Sequence, residues 1–267
     1  MLPRDAFLKN LPICLDPAER LALEAIGFSL DALGYAYRRL LEAAGELAAY
    51  GEAKLAEFDL TPIFVNAWAI IDHAHLARQL VTSLKPKGER LLAYVAETET
   101  ATSLRNRVHH IKSNLKNLSN KAETPPLFGA FSFIFTEPGD FEQQDEGLPV
   151  LRRWQVVAVN SGKPVTTVHL LAKDPGEGQR IEHPVGYLLF HAFDHEVSLS
   201  ELLFSAQRLA EAFEADVRPK VEARVRALAD EHGVDPDQLL RETGVALVWR
   251  MNVEAVEANA LEVKPTA

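Results

Sequence analysis

The chain has 267 residues, 47% of them hydrophobic and 25% charged, enough to bury one large core or two smaller ones. Its formal charge of -10 at pH 7 argues against broad coating of nucleic acid but leaves room for one local basic cleft. No apolar run approaches the roughly 20 residues of a membrane span. The first ten residues carry Asp5 and Lys9 and lack the continuous apolar core of a secretory signal. The single Cys14 rules out an intramolecular disulfide, so a cytoplasmic protein without membrane contact is expected.

Asp16-Pro17-Ala18-Glu19 reads as a helix start, with Asp as cap, Pro in the first turn and Glu three positions on. A helical pattern follows to about Tyr50, and Gly27, Gly34 and Gly45 within it suggest close packing more than a ligand loop. A second helix starts at Thr61-Pro62, holds Trp68, Ile70, Ile71, Leu76 and Leu80, and ends at Lys85-Pro86-Lys87-Gly88. His73 and His75 on it are two apart and point in different directions, which argues against a metal site made from them. Asp72 could orient Arg105 or a histidine if two helices pack side by side. An ordinary salt bridge is the simpler reading, and Asp72 is not counted among the catalytic candidates.

Residues 89–97 are helical, and the run Thr98-Glu99-Thr100-Ala101-Thr102-Ser103 has poor helix propensity. Either a helix begins near Thr102 or Ser103, putting Arg105 and Asn106 in an anion-attracting first turn, or one helix runs straight through. From Leu104 to Lys121 the helical period puts Leu104, Val108, Ile111, Leu115 and Leu118 on one apolar stripe. Arg105, Asn106, His109, His110, Lys112 and Lys116 fall opposite, and between Glu99 and Glu123 there is no Asp or Glu. Such a face is often only solvated. The Arg-Asn-x-x-x-His arrangement points further: Asn106 and His110 share a face, as do Arg105 and His109. An imidazole beside a fixed cation can move protons and stabilise a phosphorane.

Arg105-Asn106-(three residues)-His110 resembles the Arg, four to six residues, His motif of the HEPN superfamily, including the polar residue after Arg. The resemblance covers residues 61–121 and later helices. It implies a helical bundle, commonly dimeric, with two motif helices forming one composite cleft, and in many members a metal-independent endoribonuclease. His110 would then be general acid or base, Arg105 would bind the scissile phosphate, and Asn106 would hold imidazole or phosphate. His109, Lys112 and Lys116 would line the RNA cleft. The alternative is a non-catalytic interaction or scaffold protein that keeps a HEPN-like bundle and a vestigial motif.

Past Pro125-Pro126 the period changes to that of strands, with Phe131, Phe133 and Phe135 on one face. A charged loop is expected over 137–147. Strands follow at 153–159 and 165–172 around a hairpin turn at Asn160-Ser161-Gly162-Lys163, and another at 185–193, with Tyr187, Leu189, His191 and Phe193 on one face packing on helices. The four strands predict an antiparallel meander. His191 and His195 straddle a strand end and lack the Glu of a zincin helix, so no metal and no cofactor is expected. Ser198-Leu199-Ser200-Glu201 is a capping box for a long helix to about Glu231 that Pro219 bends or divides. Asp235-Pro236-Asp237-Gln238 caps a last apolar helix, reaching about 257, able to dock on the bundle or a second subunit.

The expected architecture is α+β: a mainly helical bundle over 16–120 and 198–257 with a four-stranded antiparallel sheet inserted over 126–193, forming one interlocked unit. The expected partners are RNA and a second copy in a homodimer, with a protein partner such as an antitoxin left open.

Overall fold

The computed structural model describes residues 1–50, 57–85, 88–110, 128–135, 141–143, 149–151, 155–161, 185–193, 195–243, 252–256 and 260–264. Helix α1, Pro17–Ala49, starts where the Asp16 carboxylate accepts the backbone N–H groups of Ala18 and Glu19, both at 3.0 Å. Those are two of the donors that a helix start leaves without partners. Its buried line runs through Leu23, Ile26, Leu30, Leu33, Leu40 and Leu47. Burying such a side chain stabilises by roughly 1.5–3 kcal/mol. Gly27 and Gly34 admit the N-terminal segment. A Cβ on Gly27 would lie 3.1 Å from Leu8, in the short 3₁₀ turn Phe7–Lys9, and one on Gly34 would lie 2.6 Å from the Met1 Cβ. Asp31 anchors that segment by accepting from the N-terminal ammonium, the Leu2 N–H and Lys9. Burial opposes its charge, but these donors hold its carboxyl below the ordinary value.

Helix α2, Thr61–Ser83, runs antiparallel to α1, so that Val81 and Leu84 lie beside Glu19 and Leu23 while His73 meets Phe28. Its inner face, with Ile63, Ala67, Ile70, Ile71, Ala74 and Ala77, is completely buried. Helix α3, Glu89–Glu97, and helix α4, Glu99–His109, are separate. The break falls at buried Thr98, whose N–H and hydroxyl both donate to the Tyr94 carbonyl, at 3.1 and 2.7 Å. The expected break is present, but it falls at Thr98 and not near Thr102 or Ser103. The helix is not continuous, and it begins early enough that Arg105 and Asn106 lie in its second half instead of the first turn. The Tyr94 hydroxyl donates to the Ala74 carbonyl, and burial pushes its phenol pKa up.

Among the described residues, six strands lie in the middle of the chain: β1 Ala130–Phe135, β2 Phe141–Gln143, β3 Pro149–Leu151, β4 Gln155–Asn160, β5 Val185–Ala192 and β6 His195–Ser198. Four form an antiparallel sheet in the order β4-β1-β5-β6, and β2, inside the stretch expected as a loop, pairs with β3 just beyond it. The expected meander is therefore corrected. β1 is central, between β4 and β5, and the fourth strand is β6, which the sequence pattern did not suggest. The strand expected at 165–172 and the last two residues of the Asn160–Lys163 turn lie outside the described residues. The expected inner face of β5 is corrected too, apart from Phe193, just past the strand, which is buried in the core as expected. Tyr187 adopts a left-handed backbone with φ 54° at a register shift between β1 and β5, and Leu188, Phe190 and Ala192 face the core. A bulge reverses the alternation that period-two reading assumes. Phe131 and Phe133 are buried as their spacing predicts, and Phe190 packs edge-on against Trp68 at 5.1 Å.

Helix α5, Leu199–Ala212, opens where the Ser198 hydroxyl accepts the Glu201 N–H at 3.1 Å. One π-helical turn, Phe213–Val217, leads into helix α6, Arg218–His232. The wide turn stands just before Pro219, which has no N–H to continue the ladder. Gly233, with φ 66°, closes α6 in the left-handed conformation glycine permits. Helix α7 spans only Pro236–Arg241, and strands β7 Asn252–Val256 and β8 Ala260–Lys264 pair antiparallel. The last helix expected to about 257 is thus corrected, since 252–256 is a strand. One buried cluster joins α1, α2, α5 and α6 to the inner faces of β1 and β5. The fold is α+β, mostly helical with a four-stranded antiparallel sheet. No helix among the described residues is long and apolar enough to cross a membrane.

Candidate functional site

The motif residues sit where α4 crosses α2. The two helices run antiparallel, and three polar pairs climb their seam at three-residue intervals. Arg78 meets Glu99 at 2.6 Å, His75 Nδ1 meets the Thr102 hydroxyl at 3.0 Å, and Arg105 Nε lies 3.7 Å from Asp72. The spacing follows from helix geometry, which brings residues three apart onto one face. Arg78 is fixed further by donating from Nε to the Val95 carbonyl at 2.9 Å, and Ala101 and Leu104 bury the opposite side of α4. The seam is most enclosed at His75 and opens towards Asp72 and Arg105, where both partners reach water.

Arg105 is half-buried, while Asn106, Arg107 and His110 are exposed. His110 follows the last helical residue, and its backbone N–H donates to the Asn106 carbonyl at 3.3 Å. Asn106 and His110 therefore stand one turn apart at the C-terminal end of α4, beside Arg105. His109 belongs to α4 by its backbone, and Lys112 and Lys116 lie outside the described residues. The negative end of the helix dipole lies here, which favours cations such as Arg107 on electrostatic grounds alone. The same arrangement can do phosphate chemistry: a guanidinium beside a carboxylate, an amide and an imidazole within reach of water.

Asp72, read from the sequence as an ordinary salt-bridge residue, pairs with Arg105 at 3.7 Å where both side chains reach water. The readable signal was the match between Asp72-His75-Arg78 on one helix and Glu99-Thr102-Arg105, taken in reverse, on another. His73 points elsewhere and meets the Phe28 ring edge-on at 6.1 Å. Its Nδ1 is buried without a hydrogen-bond partner among the described residues, and burial lowers its pKa against the opposing pull of Asp72.

His191 and His195 fall on opposite faces of the β5–β6 pair, because His191 opposes Glu196 and Ala192 opposes His195. They cannot share a ligand. No group of three His, Cys, Asp or Glu side chains among the described residues is arranged to hold a metal ion. Comparison with family models, curated proteins and solved structures gives no match to this chain.

Proposed function

We propose that the protein is a HEPN-like RNA-binding protein, acting as an endoribonuclease from the end of α4. The observation that carries this reading is the grouping of Arg105, Asn106 and His110 at one accessible helix end, with Asp72 beside the guanidinium. In this reading Arg105 meets the scissile phosphate and His110 moves the proton of the 2′-hydroxyl or the leaving oxygen. The 2′-oxygen attacks phosphorus, the bond from phosphorus to the 5′-oxygen breaks, and a 2′,3′-cyclic phosphate remains. Asn106 holds imidazole or phosphate, and Lys112 and Lys116 add affinity along the strand. A second copy supplies the rest of a composite cleft.

The test is incubation of purified protein with mixed RNA in EDTA, followed by analysis of product ends. Cleavage with cyclic-phosphate ends that His110→Ala lowers by about 10²–10⁴-fold is the expected result. Cleavage indifferent to both His110→Ala and Arg105→Ala sinks the nuclease. The scaffold reading has one observation in its favour: the Asp72 carboxylate beside Arg105 offsets the positive charge a phosphate would meet. It predicts RNA binding no tighter in low salt than in high.

A further inference from the structure

Protein interiors pack densely and leave few voids larger than a water molecule. One end of the helical bundle departs from this. The start of α1, the end of α2, helix α3 and the π-helical turn converge there around a hollow of about 420 Å³. Leu23, Val81, Leu91 and Phe213 floor it, each almost wholly buried, and the charged side chains lining it are Glu19, Lys85 and Arg224. Two irregularities of the backbone meet at the same place. Lys85 takes a left-handed conformation, with φ 49°, at a helix end where glycine is the usual residue because a Cβ is penalised. Strain of that kind persists only where the surroundings hold it. The π-helical turn is the second. Pro219 accounts for its position, and both of its ends, Phe213 and Val217, line the hollow. Single wide turns of this sort are rare and concentrate at functional sites.

We propose that this hollow binds a small amphipathic carboxylate, an aliphatic or aromatic acid of about the size of octanoate. Its apolar body would rest on Leu23, Val81, Leu91 and Phe213, and its carboxylate would meet Lys85. The volume falls within the roughly 300–1,000 Å³ of small-molecule sites, which are likewise mostly apolar with a few polar groups that fix orientation. Charge decides the sign of the head group. Arg224 already grips Glu19 through both carboxylate oxygens, at 2.6 and 3.1 Å, so that pair is close to neutral. Lys85 is exposed and has no ion-pair partner among the described residues, which leaves the rim one positive charge in excess. The floor offers only carbon, and a ligand polar throughout would lose its water there without gaining hydrogen bonds. The hollow lies further along α2 than the Asp72–Arg105 pair, at its Val81–Lys85 end, so the inference does not rest on the RNA reading.

Isothermal titration calorimetry of the full chain with sodium octanoate tests it, with 1-octanol as the uncharged counterpart. Octanoate should bind at one site with a dissociation constant on the order of 0.1–1 mM, as suits a ligand this small. Val217→Trp fills the hollow from a half-buried position and should abolish binding of both compounds with unchanged circular dichroism. Lys85→Gln should weaken octanoate roughly 2–5-fold, the strength of an exposed ion pair, and leave 1-octanol as it was. Arg105→Ala should change neither, so this site and the RNA reading fail separately. No saturable octanoate binding to the wild type, or binding that a folded Val217→Trp protein retains, overturns the proposal. If Val217→Trp does not fold, Lys85→Gln decides alone: an unchanged octanoate affinity, or an equal loss for 1-octanol, overturns it.

Discussion

The outer face of α1–α2 and the end of α4 lie side by side, with Asp72 on their border, yet they meet water in opposite ways. The first exposes Leu21, Phe28, Tyr35 and Val65; the second exposes Asn106, Arg107 and His110. Water solvates a cation or an imidazole readily, so a basic helix end is stable whether or not anything binds there. Apolar side chains gain free energy once they are covered, at roughly 25 cal/mol per Å². The basic end draws its interest from the particular residues present and from the Asp72 contact.

The comparison sharpens if each face can be disabled without disturbing the other. The largest expected effect is on cleavage, where His110→Ala removes about 10²–10⁴-fold. Next come the two sides of α2. Ile70→Ala, in the filled core, should cost ~2–5 kcal/mol in urea unfolding. Val65→Ser, on the outer face, should stay within about 0.5 kcal/mol of wild type. Equal costs for the two would mean that the outer face belongs to the core after all.

Asp72→Asn probes the border. Freed from its carboxylate, Arg105 should bind RNA about 2–5-fold tighter in a filter-binding titration, in keeping with the small strength of an exposed ion pair. Weaker binding would assign the carboxylate a positioning role that outweighs its charge. The smallest effect concerns His73. Burial holds its folded pKa below the unfolded value near 6.5, so the unfolded chain takes up the proton first as pH falls. Stability should decline as pH drops through and below that value, and His73→Phe should flatten this part of the profile in melts between about pH 7.5 and 5. An unaltered slope would show that another group sets it.

Local signals in the sequence determined where most helices begin and end. Asp16-Pro17, Thr61-Pro62, Ser198 with Glu201, and Gly233 each act through their own backbone neighbours, so no distant contact is needed to read them. The core face of β1 was legible for the same reason, since the strand period is a property of the chain itself. The candidate motif was legible as a set of residue types, with Arg105, Asn106 and His110 adjacent or one turn apart.

What tertiary structure decided involves groups far apart in sequence. Thr98 breaks the α3–α4 segment at buried Tyr94, which the Ala74 carbonyl of α2 ties down. The bulge at Tyr187 set the inner face of β5, and pairing alone made β1 the central partner of β4 and β5. Asp72 became part of the site only because α2 and α4 cross antiparallel, and a carboxylate 33 positions from its arginine carries no mark of that contact. The same holds for the outer stripe of α1. Apolar residues at seven-residue spacing fit a core or an interface equally well, and only the packing of α2, of the N-terminal segment and of the sheet showed which side of α1 was already taken.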